Sequence, residues 1–155
     1  MSITLDGTNG ITSPGIIGVT DGSNATAGTV GEYISSTVNA PSSGLTNSTT
    51  ATITSISLTA GDWDVSGVFS FNFGTGASAT QAYGALSTGT TLPSSSNGGS
   101  IFIPATLATS SGLALTANPI RVNVTTTTTV YLLGYLIFVG GSAGAGGYIR
   151  ARRVR

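Results

Sequence analysis

Two carboxylates stand two residues apart in this sequence: Asp62 and Asp64, on either side of Trp63. In an extended strand, side chains at that spacing lie on one face, about 7 Å apart. Such a pair could supply the acid and base of glycoside hydrolysis, or it could bind a hard cation through oxygen. We favour the simpler interpretation, in which both are outward polar residues beside inward Trp63 and Val65.

The residue types that are missing exclude most catalytic mechanisms. The chain contains no His, Lys or Cys, so imidazole bases, lysine nucleophiles and zinc–thiolate sites are impossible. The glycine run at 140–147 precedes a strand-like segment, not a helix N-terminus, and does not predict a phosphate loop. We therefore expect no enzyme activity and no metal or cofactor. A carbohydrate-active enzyme using Asp62 and Asp64 is the remote alternative.

Charge is scarce and divided along the chain. Charged residues make up 6% of the sequence, against about 25% in an ordinary soluble domain. The five arginines all lie at Arg121 or later, and the five acids precede them: Asp6, Asp21, Glu32, Asp62 and Asp64. A neutral Ser, Thr and Asn surface gives little protection from self-association. This composition predicts a chain that functions inside an assembly.

The basic cluster at the C-terminus contains Arg150, Arg152, Arg153 and Arg155. If the segment is a strand, Arg150 and Arg152 face one side and Arg153 the other. Guanidinium groups form bidentate pairs with carboxylates at interfaces. We predict that the four arginines lie at a subunit interface and pair with acids of neighbouring subunits; ion pairs within one subunit are the alternative. We expect no nucleic-acid partner.

The five tyrosines are candidates for stacking on glycans, because each has an aromatic face and a polar tip. They are Tyr33, Tyr83, Tyr131, Tyr135 and Tyr148. Tyr83 lies in a segment rich in Ser, Thr and Gly, and is therefore the candidate for exposure. In an alternating strand, however, an aromatic residue more often belongs to the core.

The elements that would position these residues are β-strands. Alternating apolar and polar residues are clearest at 63–73, where Trp63 and the phenylalanines point one way. The apolar run at 130–139 has the length of a central strand covered on both faces, not of a membrane span. We expect strands near 29–38, 50–58, 62–73, 79–88, 100–106, 111–117, 120–124, 127–139 and 147–154. Their number and spacing predict an all-β, antiparallel β-sandwich of jelly-roll type.

The first 28 residues are expected to form an extended arm, and residues 29–155 the sandwich domain. Frequent Gly, Asn and Pro residues interrupt the arm, and its start lacks the features of a signal peptide. We expect its apolar residues to anchor it to another surface: Ile3, Leu5, Ile11, Ile16 and Ile17. Turns are predicted at 40–44 and from Asn118-Pro119, with outward loops at 92–99 and 140–147.

Four segments resemble small structural proteins of bacteriophage and prophage particles, of tail-fibre, spike or decoration type. They are 3–16 (ITLDGTNGITSPGI), 30–36 (VGEYISS), 58–67 (LTAGDWDVSG) and 148–153 (YIRARR). The resemblance implies a homotrimer on the virion surface, made in the host cytoplasm and bound to other virion proteins, with a host-surface glycan as a further partner. The short arm favours a fibre tip or spike. The alternative is a decoration or head-fibre protein that clamps capsid subunits.

Overall fold

The computed structural model describes residues 5–6, 10–11, 22–96, 98–107 and 111–155, over which the chain is all-β. Two short strands near the N-terminus pair in an antiparallel arrangement. Eight longer strands follow. The ten strands are β1 (Leu5–Asp6), β2 (Gly10–Ile11), β3 (Tyr33–Gly44), β4 (Ala51–Leu58), β5 (Gly61–Phe73), β6 (Ser78–Ser87), β7 (Ser100–Ile103), β8 (Gly112–Val124), β9 (Thr128–Val139) and β10 (Ala143–Arg153).

The eight long strands form two antiparallel four-stranded sheets, in the orders β3-β10-β5-β8 and β4-β9-β6-β7. The pairing is nested: β3 lies beside β10, β4 beside β9, β5 beside β8, and β6 beside β7. Eight strands wound in this way are a jelly roll. The predicted β-sandwich is confirmed.

The two sheets differ in charge. Strands β4, β6, β7 and β9 contain no charged residue. We call their sheet the uncharged sheet and its partner the charged sheet. The charges of residues 22–155 lie in or directly beside the charged sheet: Glu32, Asp62, Asp64, Arg121, Arg150, Arg152, Arg153 and Arg155. Acids and arginines that are separated along the sequence are thus brought together in one sheet.

The core lies between the sheets and confirms the alternation predicted for 63–73. Trp63, Val65, Phe69 and Phe71 on β5 are completely buried. The opposite sheet meets them closely, because a Cβ added to Gly84 on β6 would lie 2.7 Å from the ring of Phe69. Small residues on one sheet therefore make room for aromatic residues on the other.

Two predicted turns are wrong, and both contain proline. The backbone of 40–44 belongs to β3, and Asn118-Pro119 lies inside β8. Both strands are at sheet edges, where the missing N–H of a proline breaks no ladder hydrogen bond. Shifts in register opposite Pro41 and Pro119 accommodate the extra residues as bulges.

The glycine run is an outward loop only over 140–142, which are exposed between β9 and β10; the rest of the predicted loop is wrong. Residues from Ala143 onward belong to β10, and 143–147 are buried. A Cβ on Gly147 would lie 2.4 Å from the carbonyl oxygen of Val68. Glycine is required here because neighbouring chains approach so closely. The loop at 92–99, by contrast, exposes Ser94, Ser95 and Ser96 as expected.

The contacts expected of the arm lie outside the described residues. These are the side chains of Ile3, Leu5, Ile11, Ile16 and Ile17, of which only the backbones of Leu5 and Ile11 are described, as partners across β1 and β2. Within the described part of the chain, no helix has the length and apolar character that crossing a membrane requires.

Candidate functional site

A buried ion pair joins the first and last strands of the charged sheet. Nε of Arg153 donates to Oε2 of Glu32 at 3.0 Å, and the side chains are only 4% and 9% exposed. The jelly roll places β3 beside β10, which brings together residues 121 positions apart. Backbone bonds reinforce the pair, since Arg153 N–H donates to the carbonyl of Glu32. Arg153, predicted among the subunit-contacting arginines, has its partner within the chain.

The rest of the Arg153 guanidinium is also occupied. It lies 4.3 Å from the centre of the Trp63 ring, in a cation–π contact. Nη1 donates to the carbonyl of Ala60 at 2.7 Å, and Nη2 donates to the hydroxyl of Thr59. The Trp63 indole N–H donates to the carbonyl of Thr59 at 3.0 Å. This cluster stabilises the fold and offers no free group to a ligand.

A second ion cluster surrounds Asp62. Arg121 donates two hydrogen bonds of 2.7 Å to its carboxylate, and Arg155 donates a further hydrogen bond of 2.9 Å. The hydrogen bond from Arg121, followed by that from Arg155, lowers the pKa of Asp62 from 3.8 to about 2, although burial opposes the shift. Arg155, like Arg153, therefore has an intrachain partner.

Asp62 and Asp64 have different surroundings, which does not suit an acid–base pair. Both oxygens of Asp62 accept hydrogen bonds from guanidinium groups, which favour the ionised form and oppose a role as proton donor. Asp64 is exposed. Both point outward, as the preferred interpretation expected, but Asp62 is buried beneath the arginines. Among the described residues, no three His, Cys, Asp or Glu side chains form a potential metal site.

Arg150 and Arg152 are the arginines that lack a carboxylate partner in the described part of the chain. Both are exposed on the outer face of β10. Nε of Arg150 donates to the hydroxyl of Ser66 at 2.9 Å, which leaves its terminal nitrogens free of described partners. For Arg152 the described residues contain no hydrogen-bond or ion-pair partner. The predicted pairing of these two arginines between subunits remains a prediction.

A groove of about 930 Å³ runs across this outer face. Four strands contribute to it: its lining includes Tyr33, Asp64, Val68, Pro119, Arg150 and Arg152. The hydroxyls of Tyr33 and Tyr148 are hydrogen-bonded to each other at its β3 side. This bond is the main cause of a raised pKa for Tyr148. The groove thus combines cations, one carboxylate and two aromatic rings.

The outer face of the uncharged sheet has a different character. Odd-numbered residues of β9 point outward, since a Cβ on Gly134 would point into the core. Leu133 is completely buried, Tyr131, Tyr135 and Ile137 are half-buried, and Val139 is 64% exposed. The apolar run at 130–139 predicted a strand covered on both faces. In the single chain, its outer face is covered only in part.

Neighbouring strands extend this apolar outer face. Phe102 on β7 is 41% exposed and packs edge-to-face against Tyr83 on β6. Tyr83 itself is buried, with its hydroxyl bonded to the carbonyl of Pro93. Tyr83 is therefore not the exposed tyrosine that the sequence context suggested. The sequence alone could not identify this face, because assigning it requires knowing which strands are neighbours.

Comparisons with known proteins give no relative for this chain: no family model, no curated protein and no solved structure matches it.

Proposed function

We propose that this chain is a non-enzymatic structural protein of a bacteriophage particle, displayed on the virion surface as a homotrimeric fibre-tip or spike module that contacts the host surface. The observation that carries the proposal is the uncharged sheet, whose outer face is apolar and only partly covered. The sequence resemblance to phage virion proteins supplies the biological setting.

The uncharged sheet supports self-association because its outer face has the composition of an interface centre. Aromatic residues are enriched at such centres, and charged residues are depleted. Strands β7 and β9 supply Phe102, Tyr135 and Val139, and none of the four strands carries a charge. A second and a third copy would cover the part of the outer face of β9 that is exposed in one chain. In a closed ring of three, every copy makes the same contacts.

The charged sheet supports a structural role for most of its ionic groups. Arg153 and Arg155 fasten the C-terminal end of β10 to Glu32 and Asp62. Asp62 is bound by two arginines, so the carboxylate pair offers weak support for hydrolysis. These groups stabilise a displayed domain that must persist outside the cell.

In this proposal, the N-terminal arm binds other virion proteins. Its apolar residues Ile16 and Ile17 would dock on a neighbouring virion surface. Substituting both with Asp is expected to give protein of unchanged native mass that is absent from purified particles. Loss of trimerisation in that variant would instead assign the arm to contacts among the three copies.

The second candidate is a decoration or head-fibre protein that clamps neighbouring capsid subunits. Apolar cover for the uncharged sheet would then come from the capsid surface. The purified protein would be monomeric, and antibody labelling in electron micrographs would lie on the head. A trimer that labels the tail or its tip would support the first proposal.

A further inference from the structure

We infer that the groove on the outer face of the charged sheet binds an acidic saccharide, a sugar chain that carries carboxylate groups. The inference rests on the proposed function only for its setting at a host surface, because every residue of the site lies within one chain. It names the chemical class that such a surface module would recognise.

Arg150 and Arg152 are cations without a carboxylate partner among the described residues. Residues 22–155 contain three acids: Glu32, Asp62 and Asp64. Glu32 and Asp62 are bound by Arg153, Arg121 and Arg155. Within the described part of the chain, the guanidinium groups left for an anionic ligand are therefore those of Arg150 and Arg152.

The spacing of these two cations suits a ligand with repeated carboxylates. Arg150 and Arg152 stand two residues apart on β10, so their Cα atoms are about 7 Å apart on one face. Their row partners on β5 are Ser66 and Asp64. A guanidinium fork binds a carboxylate through two parallel hydrogen bonds. The groove thus holds two anion-binding groups along one strand, with neutral or acceptor groups beside them.

The other groups of the groove favour a saccharide over a nucleic acid. Asp64 is an exposed acceptor within the groove; it would accept hydrogen bonds from sugar hydroxyls, donors that a DNA phosphodiester backbone does not offer. Two surplus arginines are also few for a ligand whose affinity depends on many phosphate contacts. Tyr33 and Tyr148 supply apolar ring surface with polar tips beside the arginines.

The test is titration of the intact protein with an alginate oligosaccharide, a chain of uronic acids, followed by calorimetry. The carboxyl-reduced oligosaccharide and a thymidine oligonucleotide of equal charge serve as comparison probes. We expect binding of the alginate oligosaccharide and at least about ten-fold weaker binding of both other probes, since one charged hydrogen bond is equivalent to about that factor. Absence of alginate binding, or equal binding of the oligonucleotide, would overturn the inference.

Variants locate the site. Arg150→Gln and Arg152→Gln are each expected to weaken alginate binding about ten-fold. Arg155→Gln is the matched control, because it removes the same charge from an exposed arginine that is absent from the groove lining. The affinity of Arg155→Gln for alginate should equal that of the wild type. An equal loss in all three variants would overturn the site and indicate only non-specific charge attraction.

Native mass, measured on the same samples, separates this inference from the proposed function. Alginate binding by a monomer would support the groove and contradict the trimer. If Arg150→Gln or Arg152→Gln dissociates the protein, the groove is occupied by another copy of the chain, and the saccharide inference is wrong.

Discussion

Arg153→Met is expected to lower the free energy of unfolding by about 3–5 kcal/mol, the usual cost of removing one partner from a buried ion pair. The substitution leaves the carboxylate of Glu32 buried, with the N–H of Gly28 as its remaining donor among the described side-chain contacts. It also removes the cation from the Trp63 ring. Arg152→Met is the matched control on the adjacent residue. Because Arg152 is exposed, its change should stay within about 0.5 kcal/mol.

Urea unfolding followed by tryptophan fluorescence measures both variants directly. Trp63 is the single tryptophan of the chain, and it lies at the perturbed site. All measurements need one subunit concentration, because the stability of an oligomer depends on it. The double variant Glu32→Gln with Arg153→Met should recover part of the loss, since it removes the stranded charge. A difference between Arg153→Met and Arg152→Met below about 1 kcal/mol would refute the reasoning.

Two further predictions concern the Asp62 cluster and the contact between sheets. Because folding lowers the pKa of Asp62 from 3.8 to about 2, its ionised form stabilises the fold above about pH 4, and that contribution is lost as the pH falls toward about 2. Wild type should therefore lose more stability than Asp62→Asn between about pH 5 and pH 2 in urea titrations; equal losses would contradict the ion pairs. Gly84→Ala should lower the free energy of unfolding by about 1–3 kcal/mol, because the new Cβ would meet the ring of buried Phe69 at 2.7 Å. Gly98→Ala meets no atom within 4 Å and should stay within about 0.5 kcal/mol of wild type, apart from a slight gain from the stiffer unfolded chain; equal melting temperatures for the two variants would contradict the packing.

Strand patterns could be predicted from the sequence wherever alternation is strong. On β5, the inward aromatic face of Trp63, Phe69 and Phe71 follows directly from a two-residue period. The pattern failed at proline and glycine. Pro41 and Pro119 were interpreted as turns because local preferences do not reveal that a strand will lie at a sheet edge.

The charged groups could be recognised from the sequence, but their partners could not. The arginines and acids stood at opposite ends of the sequence, which indicated that the ends attract each other. Whether they meet within one chain depends on the nested pairing of β3 with β10. That pairing buries Arg153 against Glu32 and leaves Arg150 exposed. The alternation of the segment had indicated that these two arginines lie on opposite faces of the strand.

The uncharged sheet could not be recognised before the fold was known. In the sequence, β5 and β8 of the charged sheet separate β4, the consecutive β6 and β7, and β9 from one another, so no continuous segment carries the whole apolar face. Val139 and Phe102 are 37 positions apart and become parts of one outer surface only through β6, which lies between β9 and β7. Sequence windows report local periodicity and cannot combine such distant residues.

The central claim, that copies of this chain associate through the uncharged sheet, is tested most directly by the native mass of Val139→Asp. Light scattering of the wild type should give three times the chain mass of 15.3 kDa, and Val139→Asp should give the mass of one chain. Val30→Asp is the matched control, because Val30 is 68% exposed against 64% for Val139 but lies outside that sheet. It should remain trimeric. A wild-type monomer, or a trimer that Val139→Asp leaves intact, would contradict the account.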